Sequence, residues 1–127
     1  MKKTRYLVCR HCGNVVEILN DTGVPVVCCG EAMPELEPNT AEAASEKHIP
    51  EVTVEGNTIK VQVGSVPHPM QPEHFIGWIW LQTMQGGQRK QLGAGMEPKA
   101  EFILSSEDKP VAVTAWCNIH GLWKKEL

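Results

Sequence analysis

Phe75-Ile76-Gly77-Trp78-Ile79-Trp80-Leu81 is apolar on both faces of an extended chain, with Ile76, Trp78 and Trp80 on one side and Phe75, Ile79 and Leu81 on the other. Side chains alternate along a strand, so a run that is apolar at both phases belongs inside a sheet or beneath a partner chain. Upstream, Val52 and Val54, then Ile59, Val61 and Val63, alternate with polar residues around Glu55-Gly56-Asn57. That pattern marks a hairpin with one buried face. Downstream, Ala100 to Leu104 and Val111 to Trp116 read as further strands, with Gly86-Gly87 and the Gly93 to Pro98 stretch as the separators. Short strands, Gly/Pro punctuation and no long helical period predict a mainly β domain over 46–127, built as an antiparallel β-sandwich.

The segment before it has a different composition. Tyr6-Leu7-Val8, Val15 to Leu19 and Val24 to Val27 are short apolar runs separated by Cys-Arg-His-Cys-Gly and Asn-Asp-Thr-Gly, which predicts a small β-hairpin unit over 1–37. So short a unit cannot bury enough apolar surface by itself, and it holds four of the five cysteines. Met33 to Asn39, with two prolines, starts a linker taken as 38–45. Within it, Asn39-Thr40-Ala41-Glu42 resembles a helix start, which predicts one or two helical turns through Ala43-Ala44-Ser45.

Bulk properties narrow the function classes. The chain has 127 residues, 42% of them hydrophobic, enough for one domain plus a very small one. It lacks a run of about eighteen apolar residues, which argues against a helical membrane span. Its basic N-terminus lacks the apolar stretch of a secretory signal, so the expected location is the cytoplasm, where thiols stay reduced. Net charges of −2 over residues 1–45 and −1 over 46–127 provide no broad basic face, so nucleic acid is not an expected partner.

Two clusters carry chemistry. Cys9-x-x-Cys12 and Cys28-Cys29, fifteen residues apart, place four soft thiolates in one hairpin unit, a set that suits tetrahedral zinc or a single iron. Gly13 and Gly30 follow the pairs where tight turns need them. Adjacent cysteines are unusual for a metal knuckle and predict a distorted tetrahedron. The competing explanations are a disulfide framework or buried thiols. An odd cysteine count, a reducing compartment and the strain of a vicinal disulfide weigh against them. A thioredoxin-like redox pair is weaker, since no βαβ pattern surrounds Cys9 and Cys12. His11, inside the loop, reads as a solvated turn residue.

The second cluster comprises His48, His68, His74, Cys117 and His120. Each histidine alone has an ordinary explanation as a surface or core residue. Their settings are less ordinary: His68 is flanked by Pro67 and Pro69, His74 opens the most apolar strand, and Cys117-Asn118-Ile119-His120-Gly121 is a short ligand-like turn. Imidazoles with one thiolate suit iron, copper or zinc, so residue types leave the metal open.

The order of the motifs adds more. Glu-Lys-His-Ile-Pro at 46–50, His-Pro-Met-x-x-x-His-x-Ile-x-Trp-Ile from His68 and Cys-Asn-x-His-Gly-x-Trp from Cys117 closely resemble the superoxide reductases. The cysteine hairpin before them resembles desulforedoxin, and together they resemble the desulfoferrodoxin family of two-iron superoxide reductases over nearly the whole chain. The resemblance implies a desulforedoxin-like first domain whose Cys9, Cys12, Cys28 and Cys29 hold one iron. It also implies an immunoglobulin-like sandwich whose His48, His68, His74 and His120 surround a second iron equatorially, with Cys117 axial. It implies superoxide as substrate, a rubredoxin-like electron donor and a homodimer. Lys47 is expected to steer superoxide to the open coordination position and to order a proton-delivering water. Glu46 resembles the residue that fills that position once iron is oxidised. Against this stand two other classes, a non-catalytic iron electron carrier and a zinc-stabilised interaction module.

Overall fold

The computed structural model describes residues 4–40 and 48–127. The helical turns expected through 41–45, and the site candidates Glu46 and Lys47, lie outside the described residues. Two compact units are present, Met1–Glu37 and Pro38–Leu127. No helix occurs among the described residues, and none is long and apolar enough to cross a membrane.

The first unit is two small antiparallel ladders. β1 (Arg5–Val8) pairs with β2 (Val15–Ile18), and β3 (Val27–Cys28) pairs with β4 (Glu31–Ala32). After β4 the chain returns beside β1, where Val8 N–H donates to the Pro34 carbonyl at 3.0 Å and Leu36 N–H to the Tyr6 carbonyl at 2.8 Å. Arg5 ties this return down through Glu35, at 2.8 Å, and through Asp21. The buried cluster here is only Leu7, Cys9 and Met33, flanked by Val16, Ile18 and Cys28. A core of that size leaves the unit dependent on what its cysteines bind. The third apolar run does little packing: Val24 and Val27 are exposed, as is Leu19.

The second unit is a sandwich of two antiparallel sheets. One contains β5 (Pro50–Glu55), β6 (Thr58–Val63) and β9 (Lys99–Ile103), in the order β5-β6-β9. The other contains β7 (Ile76–Thr83), β8 (Gly86–Gln91), β10 (Pro110–Cys117) and β11 (Gly121–Glu126), in the order β11-β10-β7-β8. Their inner faces meet in one core: Ile59, Val61, Val63 and Phe102 from the first sheet, and Ile76, Ile79, Leu81, Val113, Ala115 and Cys117 from the second. The alternation read around the Gly56 turn is realised in β6, with Ile59, Val61 and Val63 inside and Lys60 exposed between them, whereas in β5 Val52 is only half-buried and Val54 is exposed.

β7 lies inside its sheet, between β10 and β8, as its doubly apolar pattern requires. The faces differ from strict alternation at one point. Trp116 pairs with Trp78, yet the next residue, Cys117, pairs with Ile76, so Gly77 is an extra residue in β7. This bulge reverses the phase of the strand. Ile76 therefore joins Ile79 and Leu81 in the core, although simple alternation puts it with Trp78 and Trp80. Glycine is required there, because a Cβ would stand 2.6 Å from the Trp116 ring.

In the second unit two strands escaped the sequence pattern. β8 begins at Gly86, where a separator was expected, and its polar residues are mostly exposed. β11 is short and amphipathic, and lies at the other edge of the sheet. Edge strands with one solvated side carry little hydrophobic periodicity, which is why neither stood out.

Candidate metal centres

In the first unit the chain brings four sulfurs together. Cys9 directly follows β1, Cys12 lies in the following turn, Cys28 ends β3 and Cys29 starts its turn. All four Sγ atoms lie within 4.8 Å of one another, and Cys12 and Cys28 are 3.6 Å apart. Metal–sulfur bonds of about 2.3 Å place tetrahedral sulfurs about 3.8 Å apart, so the envelope fits one ion. The adjacent pair closes it through the backbone: Cys29 has φ of +52°, the only non-glycine in the left-handed region among the described residues. Few side chains adopt that conformation without a local demand, and here it turns two consecutive sulfurs toward one point.

Electrostatics support a cation at this site. The N–H groups of Cys12 and His11 donate to Cys9 Sγ, each at 3.4 Å, and hold that thiol down to about 6. Hydrogen bonds with Cys12, Cys9 and Cys28 push Cys29 up to about 12, because the thiolates that ionise first oppose the next. Four thiolates together therefore need a positive ion. Asn14 Nδ2 approaches Cys28 Sγ at 3.8 Å. His11, expected as a plain turn residue, is exposed but sits 2.6 Å from the Glu31 carboxylate.

The second cluster forms at one end of the sandwich. His48 lies two residues before Pro50, the first residue of β5, which pairs with Val63 at the end of β6. His68 follows β6 in the loop to β7, and His74 precedes β7. Cys117 ends β10 opposite Ile76, and His120 occupies the turn into β11. In antiparallel ladders the start of one strand meets the end of the next, so residues 72 positions apart converge. Ligand atoms of His48, His74, Cys117 and His120 all lie within 4.8 Å of one another. His48 Nε2 is 3.1 Å from His120 Nδ1, and Cys117 Sγ is 3.8 Å from the same nitrogen. Metal–nitrogen bonds of about 2.1 Å put neighbouring ligand nitrogens about 3.0 Å apart, which matches.

His68 falls outside that tight group of four yet belongs beside it. Its ring centroid is 4.7 Å from that of His48 and 4.6 Å from that of His74. The imidazole is buried, Nδ1–H donates to the Pro69 carbonyl at 2.7 Å, and Nε2 has no hydrogen-bond partner among the described residues. The Pro69 contact fixes the tautomer and leaves the Nε2 lone pair for a metal. Burial, then the neighbouring imidazoles, pulls its pKa down to about 4, against the Pro69 hydrogen bond, so the ring is neutral and able to ligate at pH 7. The donor set of imidazoles with one buried thiolate thus fits a transition metal, and five donors fit iron with one place left over.

Two residues outside the predicted ligands organise this end. Asn118 Oδ1 accepts the Phe75 N–H at 2.9 Å, and its Nδ2 donates to the Glu73 carbonyl at 3.1 Å. One amide thus straps both sides of His74 to the Cys117 turn. His120 N–H also donates to Cys117 Sγ at 3.4 Å, an outer contact that tunes the thiolate. Trp123 stacks on His48. Both residues lie within the motif that begins at Cys117, but a motif shows spacing and not the contacts each member makes.

Known proteins resemble the chain along nearly its full length. The profile of the family described as Desulfoferrodoxin matches residues 40–126, and that of the Desulfoferrodoxin N-terminal domain matches residues 3–36. A desulfoferrodoxin homolog from Archaeoglobus fulgidus is 46% identical over 116 residues, covering 91% of each chain. A desulfoferrodoxin from Nitratidesulfovibrio vulgaris is 46% identical over 118 residues, covering 93% of this chain and 92% of its own. Among solved structures, the superoxide reductase from Treponema pallidum superimposes with a TM-score of 0.84 at 33% identity, covering 98% of both chains.

Proposed function

Because the chain belongs to the desulfoferrodoxin family, we propose that it removes superoxide by one-electron reduction to hydrogen peroxide at the His/Cys iron. The chain is an oxidoreductase with two irons, one on the four cysteines of the first unit and one on the histidines and Cys117 of the second. The observation that carries the reading is the convergence of His48, His74, His120 and Cys117, with the buried, unpartnered Nε2 of His68 beside them. It supports a donor set of four imidazoles and one thiolate.

The reaction consumes one superoxide, one electron and two protons for each peroxide formed. Iron held there would supply the electron, chemistry closed to zinc. The residues do the rest. Neutral imidazoles would leave a bound iron a positive charge that draws an anion, and the Cys117 thiolate would lend it electron density. Hydrogen bonding from His120 N–H to Cys117 Sγ limits that donation. Lys47, next to His48 in sequence, attracts superoxide and orders the water that delivers a proton, and Glu46 would offer its carboxylate to the iron once oxidised. A Lys47→Ala protein is expected to meet superoxide more slowly and with a flatter salt dependence; unchanged rates at low salt would remove that role.

The division into 1–37, a linker at 38–45 and a catalytic domain at 46–127 goes with this reading, as do a homodimer and the cytoplasm, where thiols stay available to metal. Electrons come from a rubredoxin-like donor. Cys12 and Cys29 are exposed at the first centre, which supports approach of a donor there. The test is spectroscopic. Metal analysis is expected to find two irons per chain, and the second centre's visible band, bleached by reduction, should return on rapid mixing with superoxide. Colourless protein containing zinc, or a band that stays bleached, would exclude the reading.

A further inference from the structure

Trp123 on β11 is not a donor, yet it touches two donors from distant parts of the chain. Its indole lies on the His48 imidazole with centroids 4.6 Å apart and planes at 19°. Its Nε1–H donates to the His120 carbonyl at 3.1 Å. The strand beneath it is gripped from its other side by Asn39, which forms a parallel bridge with Trp123. Asn39 N–H donates to the Leu122 carbonyl at 2.9 Å, its carbonyl accepts the Lys124 N–H at 2.8 Å, and its Nδ2 adds a bond to the Leu122 carbonyl at 3.0 Å.

We propose that Trp123 is a positioning residue of the His/Cys iron centre, setting the plane of His48 with its ring face and the His120 turn with its N–H. A hydrogen bond fixes one nitrogen, whereas a stacked ring fixes the whole plane of an imidazole. Ligand plane and distance govern how well the Nε2 lone pair points at the ion, and outer contacts of this kind change metal affinity by about 10–100-fold. His48 sits at the start of β5 and His120 in the β10–β11 turn, so a single side chain couples the two sheets of the sandwich at their ligands. Asn39 makes the support rigid by holding the β11 backbone on both sides of Trp123.

The inference rests on the same iron site as the proposed reductase, and iron release reads it without any superoxide. The full-length protein loaded with two irons is challenged with a chelator, following both visible bands in the parent, Trp123→Phe and Trp123→Leu. The leucine variant, which loses the stack, should release the second iron about 10–100-fold faster and shift its band. The phenylalanine variant keeps the stack and loses only the N–H, so its band should stay in place with release about three- to tenfold faster. The four-cysteine iron should leave at the parent rate in both. Equal release from parent and variants overturns the proposal, as does parallel acceleration at both irons, which marks general loosening. If the leucine variant does not fold, the phenylalanine variant decides: parent-like release of the second iron overturns the proposal.

Discussion

Asn118 and His68 show what single residues contribute around the second iron. Asn118 holds the backbone on both sides of His74, so Asn118→Ala should leave both backbone groups unsatisfied and free the ligand to move. We expect affinity for the second iron to fall about 10–100-fold with the four-cysteine iron unaffected, measured by chelator competition. His68 gives a pH signature in metal-free protein. Its folded pKa lies below the usual 6.5, near 4, so the fold favours the neutral ring. Stability from that preference is full above about 6.5 and is lost as pH falls toward 4, which urea unfolding of the metal-free protein at pH 7 and at 4.5 should register. A His68→Gln variant should flatten that dependence. At this scale the two groups that converge, Cys9, Cys12, Cys28 and Cys29 and then His48, His74, Cys117 and His120, were legible, because cysteine and histidine spacing and order carry a signal. The supports were not: Asn118 and Trp123 act across contacts of 43 and 75 positions, to Phe75 and His48, which no local pattern encodes.

The decisive element is the pair β7 and β10, whose bulge at Gly77 places Ile76 and Cys117 together on the core face. Gly77→Ala would drive a Cβ into the Trp116 ring at 2.6 Å. Overpacking of this kind costs about 1–3 kcal/mol, and relief requires Trp116 or the bulge to shift beside Cys117. We expect a lower thermal midpoint together with a moved visible band for the second iron; a stable protein with an unchanged band would show that the bulge is tolerant. Sequence reading found β7, the β5–β6 hairpin, β9 and β10, since their apolar residues face the core. It missed β8 and β11, whose edge positions leave them polar, and it set Ile76 on the wrong face because a bulge changes phase without changing composition.

At the scale of the whole chain, the units differ in what holds them. The second has a core cluster of a dozen buried residues, whereas that of the first has three, one of them the cysteine Cys9. A Cys9→Ser, Cys12→Ser protein should lose its first iron and the ordered structure of the first unit, while keeping the second iron's band. Retained superoxide reduction in that protein would make the first iron structural, and lost reduction with the second iron intact would make it a relay. The reductase reading itself is tested most directly by counting products: reduced protein with excess electron donor is mixed with superoxide, and peroxide and dioxygen are measured per superoxide consumed. One peroxide per superoxide, with no dioxygen evolved from it, is the expected result. One peroxide per two superoxides with matching dioxygen, or consumption no faster than the spontaneous rate, would contradict it.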